Sequence, residues 1–215
     1  LNIPKYGKAD ILPVLNKVGS FLAIPQLRKI LVENTKQLSL RSIMDSKKIF
    51  LVNLAKGYIG EDGSHLLGGL LLSSFASASF TRIDTPEDNR VPFIIYLDEF
   101  QNYTTGSLAG MIAELRKFKV SFVFAHQYIS QLETDIRDAV LGNVGTLICF
   151  TLGQADARYM EREFYPIFTV QDFINLPHYS IYLKLLIRGK TSQGFSAQTI
   201  TLHDPEYRRI YEEGG

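Results

Sequence analysis

The sequence predicts an α/β domain: a mostly parallel sheet with helices on both faces, an antiparallel edge hairpin near the C-terminus and a small helical segment at the N-terminus. The first observation behind this is an alternation. Between residues 48 and 164, apolar runs of strand length take turns with longer stretches of helical periodicity, the pattern of parallel strands joined by right-handed helical crossovers. The second is the character of the runs, which are continuous rather than alternating in hydrophobicity, as strands buried on both faces require. The third is a change near the end, where two apolar segments flank RGKTSQG and read as a hairpin.

The elements follow in order. Residues 9–46 hold three short helical stretches, LPVLNKVGSFLAI, PQLRKILVEN opened by Pro25, and LSLRSIMDS, so 1–46 reads as a helical segment of its own. KIFLVNLA at 48–55 is a buried-strand candidate, followed by the glycine-punctuated loop KGYIGEDGS and a helix over 64–82. TPEDNR is a polar loop into a strand that starts after Pro92 and ends at Asp98. A helix over 107–118 leads to the strand VSFVFAHQ at 120–127, a helix over 135–141 to TLICFTL at 146–152, and that strand to the helix ADARYMEREF. The core domain is thus expected at 47–203, with 204–215 as a tail.

Bulk composition narrows the functions. At 215 residues, with 46% hydrophobic and 21% charged, the chain is long enough to bury a core. Lys and Arg number 23 against 22 Asp and Glu, a net charge of +1, so nucleic acid would have to be met by a local patch. The short basic runs at Lys47 and Lys48, Arg116, Lys117 and Lys119, and Arg208 and Arg209 mark solvated faces before they mark such a patch. A single cysteine, Cys149 within TLICFTL, excludes an internal disulfide and reads as a small core residue. The four histidines, at 65, 126, 178 and 203, show no ligand spacing. The most apolar region, 66–80, is broken by glycine and serine and falls short of the roughly 18 residues of a membrane span, so no span is expected.

The chemistry concentrates at one strand tip. In VPFIIYLDEFQN the apolar run 94–97 leads straight into Asp98 and Glu99. Buried acids cost several kcal/mol unless a partner offsets them, so the pair asks for a metal and a proton acceptor. In an open parallel sheet, ligands bind beyond the carboxyl ends of the strands, which is where Asp98, Glu99, His126 and Gln127 all fall. Phosphoanhydride hydrolysis uses these atom types: Asp98 holds a water of a magnesium shell, Glu99 deprotonates the attacking water, and Gln127 senses the terminal phosphate. The competing reading is that Asp98 and Glu99 cap a turn and that His126 and Gln127 close a surface loop.

The runs IFLVNLAKGYIGED, FIIYLDEFQN, AELRKFKVSFVFAHQYISQL and GNVGTLICFTLGQADARYMEREF resemble the carboxyl-terminal two-thirds of the motor domain of TraG/TraD-type conjugative coupling proteins, in the HerA/FtsK group of RecA-like ATPases. FIIYLDEFQN is then the Walker-B-like strand, and the first 46 residues resemble the end of an all-helical insert. The resemblance implies a RecA-like P-loop NTPase fold and a homo-hexameric, ATP- and magnesium-dependent pump that moves DNA. It also implies a cytoplasmic protein, at the cytoplasmic face of the inner membrane or of a type IV secretion channel, with channel or relaxosome proteins as partners. The loop around Lys56 and Tyr58 could touch DNA in a central channel, although a glycine-rich connection is the plainer account. Arg116 sits at the far end of its helix from Asp98, of order 15 Å away at 1.5 Å per residue, so it would serve the neighbouring subunit's nucleotide as an arginine finger, in agreement with the resemblance. A solvent-facing arginine at a helix C-terminus is the alternative.

One departure stands out. No segment fits G-x-x-x-x-G-K-[ST]; the glycine clusters KGYIGEDGSH and LLGGLLLS lack the lysine and hydroxyl at the required offset. In the family that loop lies upstream of the helical insert, so the sequence reads as an excised piece. A HerA-like repair translocase, a protein-secretion ATPase and a catalytically inactive RecA-like scaffold are the rival readings. The chain by itself is expected to bind no nucleotide tightly and to show no significant ATPase activity. Turnover that survives Asp98→Asn would overturn that expectation.

Overall fold

A computed structural model describes residues 8–33, 38–103 and 106–200, and the tail expected at 204–215 lies outside them. The chain divides into two units, 1–127 and 128–215, each with strands and helices of its own.

The first unit opens with α1 (Lys8–Leu22), α2 (Pro25–Leu31) and α3 (Leu40–Asp45). Pro25 starts α2 where its missing N–H costs nothing. Ser39 caps α3 by accepting from the Ser42 N–H at 3.2 Å. The long α4 (Lys56–Phe80) follows. Phe21, Leu27, Ile59 and Leu67 form a buried cluster that joins the first helices to α4. The stretch 56–63, read as a loop, is helical, with a kink at Gly60 (φ 73°, ψ 169°), a conformation that glycine adopts without strain.

With its 3-10 extension to Asp84, this helix is long and apolar enough to cross a membrane by length and composition, against the expectation of no span drawn from the short stretch 66–80 broken by glycine and serine. Here Leu72, Phe75 and Ala76 on it are buried, and Phe75 stacks on Phe93 with ring centroids 5.6 Å apart.

Strands β1 (Phe93–Leu97) and β2 (Val120–Phe124) are parallel, in register from Phe93 beside Val120 to Leu97 beside Phe124. The connection is α5 (Gly106–Leu115) and a 3-10 turn at 116–118, stopped by Lys119 in the left-handed region (φ 54°). Alternation puts Phe93, Ile95, Val120 and Phe122 on the covered face, while Ile94, Tyr96 and Val123 on the other are exposed. The strand expected at 48–55 does not form. The segment pairs with no strand among the described residues, and Ile49 and Leu51 are 89% and 87% exposed. Its apolar run suits a strand, but a strand exists only against a hydrogen-bonded neighbour, and a groove separates it from β1.

The starts of β1 and β2 are held by one side chain. Arg82, fully buried beyond the end of α4, donates from Nη1 to the carbonyls of Val91 and Phe118, both at 3.0 Å, and its Nη2 lies 2.9 Å from Asp45 of α3. Arg41 braces the same region, binding Asp45 and Asp84, and Arg90 donates to the carbonyls of Arg82, Thr85 and Lys117. Hydrogen bonds from Arg41 and Thr85 hold the Asp84 carboxyl below the usual carboxylate range.

The second unit contains α6 (Thr134–Asn143), β3 (Leu147–Cys149), α7 (Gln154–Phe164), α8 (Val170–Ile174), β4 (Ser180–Lys184), β5 (Leu186–Ile187), β6 (Lys190–Thr191) and β7 (Phe195–Gln198). β4 lies between β3 and β7, antiparallel to both, and β5 and β6 form a small hairpin in the turn, so the antiparallel hairpin flanking RGKTSQG is present. Tyr182 of β4 stacks on Phe168 at 3.7 Å and meets Phe173 edge-on at 5.3 Å. α8 starts with a capping box between Thr169 and Asp172. Cys149 is a buried core thiol whose pKa burial pushes up to about 12. Buried Asp156 accepts from the Ser130 N–H at 2.9 Å, tying α7 to the turn at Ile129–Gln131.

Asp45 is itself exposed, but the Arg82 guanidinium it faces is buried, so removing the anion leaves a buried charge without its partner. Asp45→Ala should therefore lower the unfolding free energy by about 3 kcal/mol in urea titrations. A loss below about 0.5 kcal/mol, the size of an ordinary surface change, would show that the Arg82 guanidinium does not depend on it.

Candidate functional site

The register of the parallel pair assembles the site. Because Leu97 stands level with Phe124, the residues that leave the two strands, 98–99 and 125–127, emerge side by side. Two backbone bonds stitch them: the Ala125 N–H donates to the Leu97 carbonyl at 2.9 Å, and the Phe100 N–H to the Ala125 carbonyl at 3.2 Å. Phe100 is fully buried, tilted against Phe124 at 4.8 Å and edge-on to His126 at 5.0 Å. An aromatic anchor thus holds the turn that carries the acids onto the end of the neighbouring strand.

Between the strand and this anchor, Glu99 turns the chain in the left-handed region (φ 48°), which costs a non-glycine residue of order 1 kcal/mol. Asp98 is exposed, and its Oδ1 accepts from the Glu99 N–H at 3.1 Å. Glu99 is half-buried. Its Oε1 accepts from Gln127 Nε2 at 2.9 Å and its Oε2 from Gln101 Nε2 at 2.6 Å. Asp98, Glu99, His126 and Gln127 therefore meet as the sequence places them, although His126 serves as an aromatic contact. Gln101 was missed; its signal was an amide two residues beyond the glutamate, within the tight turn that glutamate opens.

A groove of about 1010 Å³, walled by residues 47–56, α4 and β1, reaches Asp98, Glu99, Asn102 and Tyr103. Lys56 lines it and is paired with Glu61 at 2.8 Å, whereas Tyr58 is exposed on the first turn of α4. Arg116 lies elsewhere. It precedes the start of β2, opposite the acids' end of the pair, and is exposed. Five strand residues at about 3.3 Å each put roughly 16 Å between those ends.

Among the described residues, no group of three or more His, Cys, Asp or Glu is placed to hold a metal. Magnesium does not need one, since it keeps most of its waters and takes one or two carboxylates together with substrate phosphates. The exposed Asp98 carboxylate beside Glu99 fits that donor set.

No family model matches the chain, and no curated protein matches it. Solved structures that share its fold include two of coupling proteins. The plasmid coupling protein TrwB in complex with the non-hydrolysable GTP analogue GDPNP superposes with a TM-score of 0.57 at 15% identity, over 93% of this chain and 53% of that one. The bacterial conjugative coupling protein TrwBdeltaN70, in an unbound monoclinic form, gives 0.57 at 14% identity over the same shares. The chain thus spans about half the length of these structures, and it has their α/β fold, as expected from its sequence.

The turn's other end rests on α4, where a Cβ added at Gly68 would lie 2.3 Å from the Tyr103 ring. Gly68→Ala should cost about 1–3 kcal/mol by overpacking. Gly57→Ala on the same helix, with nothing within 4 Å, should be neutral or stabilising. Equal effects in thermal or urea unfolding would mean that Tyr103 yields freely.

Proposed function

We propose that this chain is part of an ATP-driven DNA translocase, a coupling protein of conjugation or type IV secretion. The observation that carries the proposal is the 2.9 Å hydrogen bond from Gln127 to Glu99 across the ends of two parallel strands, with Asp98 beside it. A carboxylate poised as base, linked to an amide on the neighbouring strand, is what hydrolysis of a terminal phosphoryl group requires. The shared fold with the coupling-protein structures supports the same reading.

In this reading Glu99 takes the proton of the attacking water, Gln127 contacts the terminal phosphate and Asp98 holds a water of the magnesium shell. Magnesium supplies charge neutralisation at the phosphates. ATP is the substrate, and the phosphate cradle comes from outside this sequence. Assembly as a homo-hexamer in the cytoplasm, at the inner face of the inner membrane, would bring Arg116 to the neighbouring subunit's nucleotide, where a planar, permanently charged fork offsets the charge developing on phosphorus. DNA is the cargo, with Lys56 and Tyr58 as contacts, and channel or relaxosome proteins are the partners. A repair translocase or a protein-secretion ATPase would use the same site chemistry on another cargo. The scaffold reading is favoured by one observation, that no segment of the sequence fits a phosphate loop.

Two variants of the full-length protein test this. Glu99→Gln should keep nucleotide and magnesium bound yet lower kcat by about 10²-fold or more, because the amide keeps the shape and removes the proton acceptor. Arg116→Ala should fall by about 10³-fold. Mixed rings of the two should regain activity at interfaces that pair an intact Glu99 with an intact Arg116. Full activity of Arg116→Ala alone, or no recovery in verified mixed rings, would remove the trans role. Near-normal turnover of Glu99→Gln would remove the base.

A further inference from the structure

Both oxygens of the Glu99 carboxylate are occupied, by amides of unlike standing. An ionised carboxylate only accepts, so Gln101 and Gln127 must each present nitrogen to it, at 2.6 and 2.9 Å. Gln101 is half-buried in a turn fixed at two points: buried Phe100 bonds Ala125 and packs on Phe124, and Tyr103 fits against Gly68. Gln127 is exposed, beyond the last bonded residue of β2. One amide belongs to the rigid frame of the site and the other to its open side. Glu99 itself holds a backbone conformation (φ 48°) that persists only where its surroundings impose it.

We infer that Gln101 is a positioning residue that holds Oε2 of Glu99 throughout turnover, and that Gln127 is a latch on Oε1 that opens when a terminal phosphate arrives. The inference rests on the ATPase reading above and assigns the regulation of that site. With the latch closed, Oε1 already accepts a charge-assisted hydrogen bond from the exposed amide, and an attacking water must share that oxygen with it. A phosphoryl oxygen offers the Gln127 amide an alternative anionic acceptor, so its arrival releases Oε1 while Gln101 keeps the carboxylate from turning. The water oxygen then bonds to the terminal phosphorus as the phosphorus–oxygen bond to the diphosphate breaks, its electron pair leaving with the diphosphate. The water's proton passes to Oε1. Oε1 is thus given over wholly to water only once substrate is present, which suits a motor that must not hydrolyse out of turn.

The test uses the full-length protein. Gln101→Leu keeps the side-chain volume and removes the N–H, so it should lower kcat by about 10- to 100-fold, the cost of a base misplaced by an ångström, with KM for ATP within about twofold. Gln101→Asn, which keeps the amide but shortens its reach, should fall between Leu and wild type. A residue that only packs would leave kcat unchanged in Gln101→Leu, and that result would overturn the positioning role. A crystal structure with magnesium and a non-hydrolysable ATP analogue should show the Gln101–Glu99 bond kept and Gln127 turned to the terminal phosphate. A Gln127–Glu99 bond intact beside the bound analogue overturns the latch. If wild-type protein neither binds nor hydrolyses ATP, the functional reading fails and the inference falls with it. Wild-type turnover with a fully active Gln101→Leu sinks the positioning role alone.

Discussion

The geometry of the first unit runs through a guanidinium kept out of water. Arg82 gives one nitrogen to two carbonyls, Val91 and Phe118, and each of these lies two residues ahead of a strand, β1 and β2 respectively. A single Nη1 therefore sees both strands at the same offset, which is the condition for starting them in phase. The charge that allows this could not stay buried without an anion, and Asp45 supplies it from α3. Burial makes the arrangement all-or-none, because a strand shifted by one residue would leave a carbonyl without its donor and turn its apolar set to the wrong face.

The phase set at one end of the pair is read at the other. With Phe93 beside Val120, five residues of parallel pairing bring Leu97 level with Phe124, and the chain then delivers Glu99 and Gln127 to within one hydrogen bond. No local preference of either segment could do this. The acids are adjacent to an apolar run, and the amide adjoins another run some thirty positions later; only the in-phase register joins them. The same register holds Arg116 away, since a residue that precedes β2 lies at the wrong end of the pair to meet Asp98 and Glu99 beyond β1.

This explains which parts of the molecule could be read from sequence. The apolar runs at 94–97 and 120–124 announce strands, and because both lead into polar residues their tips announce a site, so Asp98, Glu99 and Gln127 were legible together. The hairpin around RGKTSQG was legible from its turn residues. The segment 48–55 was not, because its apolar run records a fitness to pair while pairing depends on a neighbour. Residues 56–63 misled in the other direction: glycines at 57, 60 and 63 suggest a loop, yet one of them merely kinks a helix that tertiary packing sustains. Arg82 was invisible, since an arginine after a helix reads as solvated until the structure shows two carbonyls and an aspartate around it. Gln101 was hidden by scale: its role depends on a left-handed turn at Glu99 that no residue type announces.

That turn bears on why a glutamate stands at position 99. Glycine would adopt φ 48° without strain, and asparagine or aspartate at little cost, so the backbone conformation alone favours any of these over glutamate. The side chain must offset the difference, and in the structure it does so by accepting two amide hydrogen bonds that a shorter residue could not reach in the same way. In an uninterrupted strand, residues 98 and 99 would point to opposite faces. The left-handed step breaks that alternation immediately after Asp98. One acid is left exposed, while the other is folded back between Gln101 and Gln127, whose amides fix its orientation. Two adjacent carboxylates thereby acquire different environments, which is the condition for giving them different tasks.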